Sequence, residues 1–315
     1  MASKKILLLL NGDRYAYPLI GYLAEQGKKF GWKLRIGCLS DADIASRIAE
    51  ERFAGPPDVF CVEDIEHSEQ AVKKSDLVIA LLSDAQVVRI ADFCIAHKKT
   101  MISPTRLTKQ MAMRRRIAKE ANTLILMDCG FSPGLDHITA KKVIDNIHTK
   151  GGKIMAFKTC SGSFVLDEEA DNLFGFKLSE PIGDQLNAGR HTNRYLVSGQ
   201  LQHIPYFRLF EKSEPIDVAE VPGARVIPEG DSLYYRRIYD LGHAHTVVKG
   251  KIVPHKFDRF WHLLIQLGLT ESGWKVDLCG KSSYRDFLAS LLPCSDSASL
   301  EDCLMAHCGA EACDV

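Results

Sequence analysis

The sequence predicts an α/β fold in which a doubly wound parallel sheet is followed by an α+β domain with a mixed sheet. Three observations predict it. Short apolar runs (Ile6 to Leu10, Val59 to Val62, Leu77 to Leu82, Met101-Ile102, Leu124 to Met127) and the strand pattern of Leu34, Ile36 and Cys38 alternate with segments of helical periodicity. Strands without an alternating polar face are buried on both sides, as in a parallel sheet covered by helices. After Gly151-Gly152 the pattern changes to longer stretches of β-branched and aromatic residues broken by prolines at 205, 215 and 222, which suits a separate α+β layer.

The elements follow in order. The first run ends in Asn11-Gly12-Asp13, and Leu19, Ile20, Tyr22 and Leu23 then recur at helical spacing, with Gly27 near the helix end. Ile44, Ala45 and Ile48 predict a helix after the second run, and Val87 to Ala96 another after the fourth. A basic helix is expected over Lys109 to Glu120. The chain is organised around Cys129-Gly130-Phe131-Ser132-Pro133-Gly134-Leu135-Asp136-His137. Here a strand passes through a Gly/Pro turn into a helix with apolar positions Leu135, Ile138, Val143, Ile144 and Ile147. Ile154 to Cys160 is extended, Asp167 to Asp171 polar and acidic, and Phe257 to Leu267 an amphipathic helix stopped at Gly268. A short helix, Tyr284 to Leu292, precedes the tail. The domains expected are 1–128 for a nucleotide-binding type of sheet and 129–275 for a substrate domain. Residues 276–315 are expected to be the remnant of a helical insertion with an unstructured Cys-rich tail.

Composition narrows the function. Forty basic and forty acidic residues cancel in a chain of 315, so no global field selects nucleic acid or an anionic membrane. The five apolar residues after Met1-Ala2-Ser3-Lys4-Lys5 are too few for a signal segment or a span. Ten cysteines without a secretory segment predict reduced thiols in a cytoplasmic protein.

Ligands of such sheets bind at a strand-to-helix turn, where backbone N–H groups and the helix dipole favour anions. The first such turn reads Asn11-Gly12-Asp13-Arg14-Tyr15-Ala16, and of the Gly-x-Gly-x-x-Gly/Ala frame only Ala16 fits. A carboxylate at Asp13 roughly 4 Å from a phosphate costs about 4 kcal/mol at an effective dielectric of about 20. A plain helix N-cap role for Asp13 stands against the cofactor reading. Cys38-Leu39-Ser40 offers no ribose-binding acid, although Asp41 is close by. Arg114-Arg115-Arg116 reads as a solvated helix face. Cys303, Cys308, Cys313 and His307 follow no zinc spacing, and no metal site is expected.

Gly130-Phe131-Ser132-Pro133-Gly134-Leu135-Asp136-His137 resembles the G-L-D-P-G-x-D-H segment of the saccharopine reductase family, the glutamate-forming saccharopine dehydrogenases. The similarity continues through Val143-Ile144-Asp145, Gly151-Gly152-Lys153 and Thr159-Cys160-Ser161-Gly162. Asn172-Leu173-Phe174-Gly175-Phe176-Lys177 looks like the family's N-P-L-G-Y-K, and Asp231-Ser232-Leu233-Tyr234-Tyr235-Arg236 like its R-D-S-L-x-Y-R. Trp261 to Gly268 and Ser283-Tyr284-Arg285-Asp286-Phe287 extend it along nearly the whole chain.

The resemblance implies a Rossmann-type cofactor domain, a substrate domain with a helical insertion, and NADP(H) or NAD(H) as cofactor. It implies redox chemistry at the C–N bond of an amino-acid substrate of the lysine-metabolism type. It carries Cys160, Lys177 and Ser132 over as catalytic candidates, and Thr105, Arg106, Asn172, Asp231 and Ser232 as substrate-binding ones. The cofactor contacts it implies are Asn11, Gly12, Asp13, Ala16, Leu82, Ser83 and Gly130. The expected partners are a small-molecule amino-acid substrate and a second copy in a homodimer, with no nucleic acid or membrane.

Several family positions differ here. The acid of G-L-D-P-G is Ser132, the arginine of R-D-S-L is Gly230, a tryptophan is Glu180, and a Ser-Tyr pair is Thr105-Arg106. The chain is also shorter than the family pattern after the Ser-Tyr-Arg-Asp-Phe helix. A buried arginine–carboxylate pair is worth roughly 3–5 kcal/mol to the group it holds, so saccharopine itself is not the expected substrate. The alternative is a catalytically inactive relative, or the product of a truncated gene, acting as a binding module.

Overall fold

A computed structural model of the protein describes residues 5–10, 16–38, 58–164, 172, 175–177, 192–219, 221–271, 283–293 and 298–308. The expected helix around Ile44 to Ile48 and the acidic stretch 167–171 lie outside them, as do Asn11, Gly12, Asp13, Asp41 and Glu180. The chain divides into two compact units, Met1–Ala140 and Lys141–Val315.

The first unit is built on six parallel strands in the order β3-β2-β1-β4-β5-β6. They are β1 (Ile6–Leu10), β2 (Lys33–Cys38), β3 (Asp58–Cys61), β4 (Leu77–Ala80), β5 (Thr100–Ile102) and β6 (Ile125–Leu126). Its helices are α1 (Tyr17–Phe30), α2 (Ile65–Lys74), α3 (Asp84–Ala96), α4 (Lys109–Met113) and α5 (Arg115–Glu120), and α6 (Leu135–Thr149) runs across the division at Ala140. The doubly wound sheet predicted from the sequence is present. Leu7 and Leu9 of β1 pack with Ala16, Ile20 and Leu23 on one face. Leu8 and Leu10 pack with Val72, Val87, Ile90 and Cys94 on the other. Side chains alternate across a strand, so an unbroken leucine run feeds two cores.

Local signals set the helix ends. Gly31, at φ 73°, closes α1 with its N–H on the Gly27 carbonyl at 2.8 Å. Asp64 starts α2 by accepting the His67 N–H at 3.0 Å. The basic helix expected over 109–120 is interrupted at Arg114, which closes α4 and opens α5. Arg114 is no part of a solvated face: Nε and Nη2 donate to the two carboxylate oxygens of Asp92 at 2.6 and 2.7 Å.

The second unit holds a mixed sheet, as expected. Its strands are β7 (Ala156–Ser161), β8 (Asn193–Val197), β9 (Gln200–Ile204), β10 (Glu214–Pro215), β11 (Arg225–Pro228) and β12 (Thr246–Val253). β12 is the hub. It runs parallel to β7 and antiparallel to β11 and β8, while β9 and β10 extend the latter two. One face carries α8 (His255–Gln266), whose Phe257, Trp261 and Ile265 recur at i, i+4 and i+8 against Tyr195, Ile204, Val248 and Val253. Trp261 Nε1 donates to Tyr206 Oη at 2.7 Å, which satisfies the indole inside that core. The short helix α7 (Leu233–Ile238) places Tyr235 near Tyr239, which meets the Phe157 ring edge-on.

Two further helices, α9 (Tyr284–Ser290) and α10 (Leu300–Cys308), follow. The second corrects the expectation of an unstructured tail. Ser299 caps it through the Asp302 N–H at 3.0 Å, a Ser-x-x-Asp start signal within a stretch whose composition looks loop-like. Cys303 on this helix is buried and disulfide-bonded, which corrects the expectation of uniformly reduced thiols. Cys38, Cys61, Cys94, Cys129 and Cys160 are free. Spacing along a chain does not reveal which thiols meet in space. Burial pushes the Cys94 thiol up to about 12, partly offset by Lys99, so it behaves as a core apolar group.

Truncating Leu9 to alanine is expected to cost about 2–5 kcal/mol in urea unfolding. Tyr284→Ala, at a side chain 90% exposed, is expected to stay within about 0.5 kcal/mol.

Candidate functional site

The candidate residues fall into one group in each unit. In the first, connections leave the sheet in opposite senses on the two sides of the β1–β4 boundary, and ligands of such sheets bind outside the strand ends at that crevice. Ala16 is buried at the head of α1, donates no side-chain cap, and no acid lies in the first helical turn. Residues 11–15 before it lie outside the described residues, and Ala16 itself offers no side-chain acceptor to the first turn. That arrangement suits an anion. Among the described residues, then, the carboxyl end of the sheet fits the phosphates of a dinucleotide.

Leu82 and Ser83 follow β4. Leu82 is buried, and the Ser83 N–H and hydroxyl both donate to Gln86 Oε1, at 3.3 and 2.8 Å. Ser83 is thus engaged in starting α3. Beside it lies a group that sequence reasoning missed. Ser103, fully buried after β5, donates its hydroxyl to the Ala80 carbonyl at 2.8 Å and lies 3.0 Å from Thr105 Oγ1. The Thr105 hydroxyl reaches the Leu82 carbonyl at 3.4 Å. These two hydroxyls tie the carboxyl ends of β4 and β5 together. Arg106 is exposed.

The 130–137 turn is tightly closed. The Gly130 N–H donates to the Pro133 carbonyl at 2.9 Å, and the Leu135 N–H returns to the Gly130 carbonyl at 2.9 Å. Gly134 sits at φ 146°, where an added Cβ would lie 2.1 Å from the Gly130 carbonyl oxygen, so only glycine closes this turn. Gly130 packs on Pro104, which a Cβ would meet at 3.0 Å. Ser132 Oγ donates to Asp136 Oδ2 at 2.8 Å, and the Gly134 and His137 N–H groups donate to Oδ1, each at 2.8 Å. Burial pushes the Asp136 carboxyl up, but these hydrogen bonds and the charge of His137 outweigh it and hold it below the usual carboxylate range. Ser132, a catalytic candidate, is thereby committed to an internal carboxylate.

In the second unit, Cys160 pairs with Gly250 and Thr159 with Lys249 across the β7–β12 ladder. The Lys249 ammonium lies 5.8 Å from the centre of the Tyr235 ring, on the α7 face. Since neighbours on a strand face opposite ways, Cys160 lies on the other face. Burial pushes its thiol up, Lys158 and the Gly250 N–H pull it down, and Glu214 adds to the rise, leaving it above the ordinary thiol range. A ready thiolate nucleophile needs the reverse. Asn172 holds a turn, donating from Nδ2 to the Phe176 carbonyl at 3.1 Å, and Lys177 next to Phe176 is exposed.

Asp231 and Ser232 form the other part of this group. Ser232 is buried, and its Oγ accepts the Lys249 N–H at 2.9 Å. Asp231 is held bidentately by Arg194 of β8, with Nε to Oδ1 at 3.2 Å and Nη2 on Oδ2. The Arg194 N–H donates to the Gly230 carbonyl at 2.9 Å, and the Ser232 N–H to the Arg194 carbonyl at 2.8 Å. Gly230, in place of an arginine in the resembling motif, sits at φ 63°, a left-handed conformation that disfavours any larger side chain. A guanidinium therefore lies beside Asp231, delivered from the neighbouring strand. No local pattern around Arg194 announces this, because its partner is 37 residues away. The Lys249 ammonium is itself buried, 3.1 Å from Glu229.

The first unit is a doubly wound parallel sheet of the Rossmann type, and the second a mixed sheet carrying polar residues. Residues 130–307 match the family described as Saccharopine dehydrogenase C-terminal domain, and the chain belongs to the saccharopine dehydrogenase family. It is 27% identical over 271 residues to the "Saccharopine dehydrogenase [NADP(+), L-glutamate-forming]" of Schizosaccharomyces pombe, covering 84% of this chain and 58% of that protein. It is 26% identical over 291 residues to the alpha-aminoadipic semialdehyde synthase of Arabidopsis thaliana, covering 86% and 27%. The chain thus spans little more than half of the first relative and about a quarter of the second. The apo saccharopine dehydrogenase (L-Glu forming) of Saccharomyces cerevisiae superposes with a TM-score of 0.82 at 21% identity, covering 97% of this chain and 67% of that one. That likeness establishes the fold.

The depressed acidity of Asp136 has a measurable consequence. Its folded pKa lies below the unfolded value of about 3.9, so its contribution is present above about pH 4 and lost as pH falls through the folded pKa. Asp136→Asn is expected to cost about 1–2 kcal/mol at pH 7. In urea unfolding against pH, the gap to wild type should narrow below about pH 4.

Proposed function

We propose that the protein is a cytoplasmic oxidoreductase of the saccharopine dehydrogenase type, using NADP(H) or NAD(H) at the C–N bond of an amino-acid substrate of lysine metabolism. One observation carries this reading: the head of α1 at the switch point of a doubly wound parallel sheet stands ahead of the family's C-terminal domain. Two relatives support the cofactor and substrate class by their names, an NADP(+)-linked saccharopine dehydrogenase and a semialdehyde synthase. Exposed free thiols at Cys61 and Cys129 favour a reducing compartment, and the disulfide at Cys303 stands against it. No described helix is long and apolar enough to cross a membrane.

The α1 N-terminus and Ala16 would hold the dinucleotide phosphates, with Leu82, Ser83 and Gly130 around the crevice. The cofactor would supply or accept hydride. The candidates for substrate contact are Thr105 and Arg106 in the first unit, and Cys160, Asn172, Lys177, Asp231 and Ser232 in the second. Saccharopine does not fit well, because Gly230 replaces the arginine suited to one of its carboxylates and Arg194 is occupied by Asp231. A homodimer accords with this reading.

A second reading, a relative that binds without turning over, is favoured by a specific pair of observations. The Ser132 hydroxyl and the Asp231 carboxylate are both consumed by internal hydrogen bonds.

Titration of NADPH fluorescence with the protein separates these readings from no nucleotide function at all. Saturable binding below millimolar cofactor is expected, and its absence defeats both the oxidoreductase and the cofactor assignment. With NADP+ in place of NADPH, and NADPH fluorescence appearing as product, saccharopine should be oxidised about 10²–10³-fold more slowly than a typical turnover of about 10 s⁻¹. Ordinary rates would contradict the loss of the clamp.

A further inference from the structure

The parallel sheet of the first unit lays the carboxyl ends of three strands side by side. Leu10 of β1 is level with Gly37 of β2, and Cys38 of β2 with Cys61 of β3. The Val62 N–H on the Cys38 carbonyl, at 2.8 Å, carries that register one residue past β3. In a doubly wound sheet the adenosine half of a dinucleotide lies against this half, with its ribose where the second strand ends. An acid there accepts from the 2′-hydroxyl, whereas an arginine there holds a 2′-phosphate. The charges beside the ends of β2 and β3 therefore select between the two nicotinamide cofactors.

Those charges are negative. Glu63 and Asp64 follow β3 directly, and Glu66 stands in the first turn of α2. A phosphate is commonly held by a helix head or by cations. The head of α2 is already filled by its own acids, since Asp64 accepts the His67 N–H at 3.0 Å. Glu63 is fixed in place, because Gln86 Nε2 donates to its Oε1 at 2.9 Å and Gln86 is in turn held by Ser83. Its charge is not neutralised by an ion pair among the described residues. The first base after β3 is Lys73, at the far end of α2. Arg35 of β2 is level with Asp58, three residues before the strand end. Past β2 the sequence adds Asp41 and Asp43 and no lysine or arginine before Arg47.

We propose that the chain prefers NAD(H) to NADP(H), with Glu63 beside the ends of β2 and β3 as a specificity-determining residue that repels a 2′-phosphate. This preference presupposes the dinucleotide reading above and narrows it. It runs opposite to the cofactor for which the fungal relative is named. The two cofactors share the pyrophosphate and the nicotinamide, so the 2′-phosphate alone decides the ratio of their affinities. That group adds about −1.5 to −2 charge at neutral pH, and carboxylates within a Debye length of about 8–10 Å oppose it. Arg14 belongs to the first strand-to-helix turn, the pyrophosphate position of such sheets, so its charge serves both cofactors alike. A ribose with free hydroxyls meets no such repulsion, because a carboxylate accepts from a hydroxyl.

Fluorescence titration of the full chain with NADH and with NADPH, at about 0.01 M and about 0.15 M salt, tests this without turnover. At low salt NADH is expected to bind about tenfold more tightly, or better, with NADPH still saturating below millimolar. The ratio should narrow at the higher salt, where the repulsion is screened. Glu63→Gln, which can still accept from Gln86, should tighten NADPH severalfold and leave NADH unchanged. Glu63→Arg should move the ratio towards NADPH by more than about tenfold. The wild-type comparison needs no variant, so the test stands even if a substituted chain fails to fold. NADPH binding as tightly as NADH, or tighter, overturns the preference and leaves the dinucleotide reading standing. So does a ratio that widens with salt or that neither variant moves. Binding of neither cofactor below millimolar overturns the dinucleotide reading, and the preference with it.

Discussion

The first unit depends on one strand being apolar on both sides. Leu7 to Leu10 are each almost wholly excluded from solvent, and fully burying a leucine is worth about 1.5–3 kcal/mol. Because alternate residues serve opposite cores, β1 cannot sit at an edge or face water. It must be central, helices must cover both faces, and the right-handed crossovers then proceed outward in both directions. The reversal between β1 and β4 follows from that, and with it a crevice at the strand ends. The candidate nucleotide position is a consequence of four consecutive leucines.

The second constraint is the accounting of polar groups. Around 130–137 and 229–232 nearly every donor and acceptor that a ligand could use is met by another residue of the chain. Asp136 collects Ser132 and two backbone N–H groups. Asp231 collects Arg194 and the Leu233 N–H. Ser232 collects Lys249. A ligand carboxylate entering here has to displace an internal partner. The candidate residues of these two segments therefore form a closed network, unlike Ala16 at the head of α1, which offers no side-chain acceptor. That difference is the physical content of family membership combined with altered motif residues.

Much of the fold was legible because it is written in local patterns. The apolar runs gave the six parallel strands, Gly268 ended the amphipathic helix where it stands at φ 71°, and the Gly/Pro turn preceded α6. What was not legible depends on distance in sequence. Arg194 and Asp231 are 37 residues apart, Ser103 and Ala80 are 23 apart, and Arg114 and Asp92 are 22 apart. No periodicity encodes such pairs. The break at Arg114 was hidden because residues 109–120 keep helical composition throughout, and the tertiary bond to Asp92 sets the kink. The helix at Leu300–Cys308 was hidden for the opposite reason, since a tail rich in Ser, Cys and Asp looks like loop until the Ser299 cap is weighed. For the candidate site, the sequence pointed to the positions and not to their partners, and the partners determine what remains free to act.

If this chain binds NADP(H), the cofactor lies at the carboxyl ends of β1, β4 and β5. Backbone hydrogen exchange with and without NADPH tests it most directly. Slowed exchange confined to residues 16–20, 80–84 and 103–106 is the predicted result. Protection elsewhere with these amides unchanged, or no protection at saturating NADPH, would contradict it.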